Sequence, residues 1–126
     1  MSRRPRVLLA DDYPDMVKAV RRLLDPDCEI VGTVPDGGLL LEEAQRLEPD
    51  VIVLDLSLPT VSGLDACRQL SQTHPAIKVI VFTASGDPDV EYQAMGAGAA
   101  AFVSKLSSLD LLTAIKRLCA DSPSTT

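Results

Sequence analysis

The chain has 126 residues, a formal net charge of −6, 46% hydrophobic residues and only 3% aromatics. That length supports one domain around a single aliphatic core. No apolar stretch approaches a membrane span, the basic start M-S-R-R-P-R lacks the apolar region of a signal peptide, and the acidic balance argues against this chain itself gripping nucleic acid.

Strand and helix patterns alternate five times along the chain. The first strand is expected at Arg6–Ala10, followed by a helix with Met16, Val17, Val20, Leu23 and Leu24 on one face. Cys28–Val34 reads as the second strand, ended by Pro35. Asp36 is placed to cap the next helix, whose buried stripe is Leu40, Ala44 and Leu47, and Glu48-Pro49 stops it. Val51–Asp55 is the third strand. The loop L-S-L-P-T-V-S-G follows, turned by Pro59 and Gly63, and then a helix with Leu64, Cys67 and Leu70 inward. Lys78–Thr83 is the fourth strand. Asp87-Pro88 supplies a cap and first-turn proline for a short helix that ends at Gly96-Ala97-Gly98. After the fifth strand, which ends near Lys105, Ser107 and Asp110 stand at capping-box spacing ahead of the last helix. Its core face is Leu111, Leu112, Ile115, Leu118 and Cys119. Cys28, Cys67 and Cys119 are odd in number and form no C-x-x-C pair, so they read as free thiols in a reducing cytoplasm.

Four of the apolar runs stop on a chemically capable residue. V-L-L-A ends on Asp11 and Asp12, V-I-V-L on Asp55, V-I-V-F on Thr83 and A-F-V-S on Lys105. Short continuous apolar runs between helices are strands buried on both faces of a parallel sheet. Five βα units with right-handed crossovers predict a doubly wound (βα)5 three-layer sandwich of the flavodoxin-like kind, with order 2-1-3-4-5. Parallel strands carry these five residues to one edge, with the first and third strands at the switch point where such sheets bind ligands. The second strand has no polar terminus, which suits an edge away from the site.

Crowded carboxylates repel: two like charges about 4 Å apart cost about 4 kcal/mol at an effective dielectric near 20. Three aspartates and one lysine leave a deficit that a divalent cation neutralises, and an all-oxygen donor set suits Mg²⁺. Zinc does not fit, since no histidine or cysteine stands at ligand spacing. An ammonium and a hydroxyl opposite the metal make an anion site. Asp55, alone at its strand end, is the candidate nucleophile for a phosphoryl group, with Mg²⁺ and Lys105 supplying charge stabilisation. No histidine is expected in the pocket to act as a general base, which favours an activated donor over a stable ester.

Taken together, Asp11-Asp12, the D-L-S-L-P run from Asp55 with Gly63 following, V-F-T-A at Thr83 and A-F-V-S-K ending at Lys105 resemble the receiver domain of bacterial two-component response regulators. The resemblance covers about residues 5–119 and leaves 120–126, D-S-P-S-T-T with its preceding alanine, as the start of a linker or a tail. It implies that Asp55 accepts a phosphoryl group from a sensor histidine kinase, without turnover of an external substrate. Asp12, Asp55 and the Ser57 carbonyl would ligate Mg²⁺, with Asp11 acting through water. Thr83, Ala84 and Lys105 would bind the phosphoryl group, and Thr83 and Phe102 would act as the switch pair. Output would pass through the fourth helix, fifth strand and fifth helix, a surface that also suits a homodimer. The start A-D-D-Y-P resembles the NarL/FixJ subclass, whose members reach DNA through a C-terminal output domain that lies outside this chain. The expected location is cytoplasmic, with no membrane contact. Leu106 departs from the family's usual proline, which leaves the cis peptide common at that bond open. Ser57 and Ser85 stand where receivers tune phosphoryl loss. Two other classes stay open: a stand-alone or phosphorylation-independent interaction module, and a hydrolase with an aspartyl-phosphate intermediate. Ser57 stands where such a hydrolase needs its second aspartate.

Overall fold

A computed structural model describes residues 4–84 and 86–119. Ser85 and the tail at 120–126 lie outside the described residues. Five strands, β1 (Arg6–Ala10), β2 (Glu29–Val34), β3 (Val51–Leu54), β4 (Lys78–Thr83) and β5 (Ala101–Ser104), form one parallel sheet in the order β2-β1-β3-β4-β5. The helices between and after them are α1 (Pro14–Leu24), α2 (Gly37–Leu47), α3 (Gly63–Thr73), α4 (Pro88–Gly96) and α5 (Leu109–Cys119). The order and the doubly wound architecture are those the βα alternation predicts.

The two faces of the sheet follow the two-residue period of a strand. Leu8, Ala10, Ile52, Leu54, Val79 and Val81 pack on one side with Leu40 and Ala44 of α2, Ala66, Cys67 and Leu70 of α3, and Ala94 of α4. Val7, Leu9, Val51, Val53, Ile80 and Phe82 face the other side, against Val20 and Leu24 of α1 and Leu111 and Ile115 of α5. Burying both faces is what makes the strands read as unbroken apolar runs.

The caps differ in detail from their sequence reading. Asp36 and Asp87 cap α2 and α4 as expected, accepting the N–H groups of Gly38 and Asp89. Asp11 and Asp12 do not cap α1, whose N-cap is Tyr13. Asp11 instead folds back on the Tyr13 N–H at 2.9 Å, a local turn that fixes its carboxylate at the end of β1. Ahead of α5 a short 3-10 turn, Lys105–Ser107, intervenes and is capped by Ser104, so α5 starts at Leu109 and the Ser107 capping register is displaced. The peptide bonds of the described residues are all trans, including that from Lys105 to Leu106.

Candidate functional site

Register decides which side chains meet. Ala10 of β1 pairs with Leu54 of β3, so the next residues, Asp11 and Asp55, leave the sheet side by side. The Asp55 N–H donates to the Ala10 carbonyl at 2.9 Å, extending the pairing into the first residue of the loop. On the other side Thr83 of β4 pairs with Ser104 of β5, which sets Lys105 one residue beyond Thr83. Asp11, Asp55 and Thr83 are the buried polar residues of the described chain, whereas Asp12 is exposed at the mouth.

Carboxylate oxygens of Asp11, Asp12 and Asp55 lie within 4.8 Å of one another. Lys105 reaches into this cluster. Its Nζ donates to Asp11 Oδ2 at 2.9 Å and to Asp55 Oδ2 at 3.1 Å, with its side chain only 14% exposed. Burial alone would lower the pKa of this ammonium. The hydrogen bonds to Asp11 and Asp55, with their charges, outweigh it and hold Lys105 above the ordinary lysine value. The same Nζ sits 5.9 Å from the centroid of the Phe82 ring, a cation–π contact beneath the site. Leu9, Val17, Val20, Val53 and Phe82 line an apolar crevice under Asp11 and Asp55, which keeps the local dielectric low and the charge interactions strong.

The other oxygen of Asp55 is also engaged. Oδ1 accepts the Ser57 N–H at 3.0 Å and the Ser57 hydroxyl at 2.9 Å. The hydroxyl bond is not legible from the sequence, where Ser57 enters through its carbonyl and through its place in the motif. The result is a carboxylate held by a hydroxyl and an amide on one oxygen and by an ammonium on the other. Ala84, following Thr83, is exposed at the same edge, and Phe102 is half-buried against the α2–α4 side of the core. His74 is the C-cap of α3, at the opposite edge of the sheet, so the pocket holds no imidazole base. The donors are all hard oxygen, clustered and only partly neutralised by Lys105; that set fits Mg²⁺ and not zinc.

The family model described as the response regulator receiver domain matches residues 7–117. The chain belongs to that family. Within it, the receiver is 36% identical over 115 residues to the response regulator GacA of Pseudomonas viridiflava, a match covering 88% of this chain and 53% of that protein. It is 35% identical over 109 residues to the nitrate/nitrite response regulator protein NarP of Escherichia coli, covering 85% and 51% respectively. The receiver thus spans about half the length of these curated relatives. Among solved structures it superposes on a two-component response regulator of the LuxR family from Aurantimonas sp. with a TM-score of 0.88, at 30% identity, covering 94% of this chain and 86% of that one. Among the described residues, no helix of this receiver is long and apolar enough to cross a membrane.

Proposed function

We propose that this receiver is a phosphorylation switch in which Asp55 takes a phosphoryl group from the phosphohistidine of a sensor histidine kinase. The observation that carries the reading is the ammonium of Lys105 set between Asp11 and Asp55 beside a three-carboxylate cluster at the switch point of the sheet. A carboxylate is itself the nucleophile, so no base is needed to activate it. An Asp55 oxygen bonds to phosphorus while the donor's P–N bond breaks, and the electron pair stays on the imidazole nitrogen, which takes a proton. Lys105 and the Thr83 hydroxyl, with the Ala84 N–H, hold the phosphoryl oxygens as charge shifts onto them. Asp11, Asp12, Asp55 and the Ser57 carbonyl would hold Mg²⁺, which when bound neutralises charge on the transferred group. Water attack on the aspartyl phosphate later releases inorganic phosphate and restores the carboxylate, so the domain carries and loses its own group without turning over an external substrate.

Thr83 and Phe102 form the switch pair in this reading, and the readout is the α4-β5-α5 surface. Tyr92 and Met95 of α4, with Leu106 ahead of α5 and Leu109 at its start, are large apolar side chains exposed on or beside that surface, which supports its use in a homodimer or partner contact. In this reading the unit is residues 5–119, with 120–126 as the start of a linker or a tail, its surface controls a DNA-binding output domain, and it works in the cytoplasm. A phosphorylation-independent module is not favoured, because all five site side chains are present and in register. The hydrolase reading lacks its second acid, since Ser57 instead hydrogen-bonds Asp55.

The test is intact mass after incubation with Mg²⁺ and acetyl phosphate, wild type beside Asp55→Asn. One phosphoryl group gained by the wild type alone is the expected result. No gain after rapid quenching would sink the acceptor role.

A further inference from the structure

The second strand ends without a chemically capable residue, yet the segment after it touches both halves of the acidic site. The Val34 carbonyl accepts the Asp11 N–H at 3.1 Å, and the Gly37 N–H donates to the Pro59 carbonyl at 3.0 Å. Between them Asp36 uses both oxygens. Oδ1 accepts the Gly38 N–H and caps α2, while Oδ2 accepts the Thr60 hydroxyl at 2.7 Å.

Thr60 is where this contact matters. Its φ is +79°, and the Val61 N–H returns to the Pro59 carbonyl at 3.0 Å across it. A three-residue turn with positive φ at its centre is the rare, strained form of γ-turn, and a β-branched residue is badly suited to it. Such a conformation persists only where its surroundings over-determine it. The first turn of α2 does this by close approach: a Cβ on Gly37 would lie 2.7 Å from the Val61 carbonyl oxygen, and one on Gly38 would lie 3.1 Å from Thr60 Cγ2.

We infer that the Asp36–Thr60 hydrogen bond is a positioning clasp that sets the divalent-metal affinity of the acidic cluster by holding the loop after Asp55. The inference rests on the reading of Asp11, Asp12 and Asp55 as a metal site. The loop is fixed at its start by Asp55 and Ser57, in its middle by the buried Leu58, and at its far end by the clasp. Ser57 is itself exposed, so it is held by its two bonds to Asp55 on one side and by the loop beyond it on the other. Neither Asp36 nor Thr60 touches the cluster. Without the Thr60 hydroxyl the turn relaxes away from positive φ, and metal binding must then reorder the loop, which weakens affinity.

The test is Mn²⁺ binding, as a spectroscopic stand-in for Mg²⁺, followed by electron paramagnetic resonance on wild type, Thr60→Val, Thr60→Ser, Asp36→Ala and the Asp36→Ala/Thr60→Val double variant. Thr60→Val keeps the side-chain volume and leaves the Asp36 cap on Gly38 in place. Its dissociation constant is expected to rise about five-fold, below the roughly 10–100-fold typical of groups bonded directly to metal ligands. Thr60→Ser restores the wild-type value, and the double variant binds no more weakly than the weaker single. Phosphoryl uptake at saturating Mg²⁺ stays at the wild-type rate, a split that general loss of structure would not give. Wild-type affinity in Thr60→Val, or Thr60→Ser as weak as Thr60→Val, overturns the clasp. A wild type that binds no Mn²⁺ overturns instead the metal-site reading beneath it.

Discussion

Lys105 Nζ lies 3.1 Å from Asp55 Oδ2, close enough to hold the candidate nucleophile as an ion pair. The lysine also bonds Asp11, so one ammonium relieves the repulsion between two buried carboxylates contributed by strands 44 residues apart in sequence (55 − 11).

This bridge has a pH signature. The folded pKa of Lys105 is raised, so the stability it confers is fully present below the unfolded lysine value, about 10.4, and is lost as pH rises through the higher folded value. Melting temperatures from pH 8 to 11 for wild type and Lys105→Met check it. The difference between the two is expected to stay level to about pH 10 and then to shrink. At neutral pH the variant is expected to lose roughly 1.5–3 kcal/mol, the range for a hydrogen bond to a charged group. Added Mg²⁺ should recover more stability for the variant than for wild type, since two carboxylates are left facing each other.

The strand ends were legible because the sheet is parallel. Once V-L-L-A, V-I-V-L, V-I-V-F and A-F-V-S are taken as strands, chirality and direction bring Asp11, Asp12, Asp55, Thr83 and Lys105 to one edge. Local chemistry was less legible. The sequence puts Asp11 at a strand end but does not show that its carboxylate turns back onto the Tyr13 N–H, with Tyr13 as the N-cap of α1. Ser107 matched a capping box, yet Ser104 caps an inserted 3-10 turn first. Thr60 was invisible, since positive φ at a β-branched residue contradicts its own propensity and is imposed by Asp36 and Gly37 from another element. The only sequence trace is the pairing of D-G-G with P-T-V, and nothing in one chain says that they touch.

Gly63 illustrates a constraint of space. Its φ is not in the left-handed region, but a Cβ there would lie 2.5 Å from Leu56 Cα and 2.8 Å from the Leu56 carbonyl oxygen. That is backbone of the Asp55 loop, which cannot step aside as a flexible side-chain tip would. Gly63→Ala is expected to cost about 1–3 kcal/mol in urea denaturation and to slow phosphoryl uptake by displacing the loop. Gly96→Ala is the matched control. Nothing lies within 4 Å of its added Cβ, and the substitution is expected to add about 0.4–1 kcal/mol by restricting the unfolded chain.

The cysteines give a test of the core that is independent of the acidic site. Burial, then the neighbouring charge of Asp27 and the thiol of Cys119, push Cys28 up to about 11, and burial likewise raises Cys67. A thiol so placed is protonated near neutral pH and shielded, so it reacts slowly even where a reagent reaches it. Cys119, at the end of α5, is only half-buried. Alkylation of the native protein at pH 8, followed by peptide mass mapping, should modify Cys119 first, with Cys28 and Cys67 reacting only as the domain unfolds. The linkage sign is clear: between about pH 9 and 11 the unfolded chain releases the Cys28 proton and the folded chain keeps it, so stability falls with pH across that window. Cys28→Ala should flatten the fall while leaving the Lys105 contribution in place, which separates the two titrations. Rapid native labelling of Cys28 would mean that α5 and the start of β2 part readily, contrary to the Lys116–Asp27 ion pair that ties the same corner at 3.6 Å.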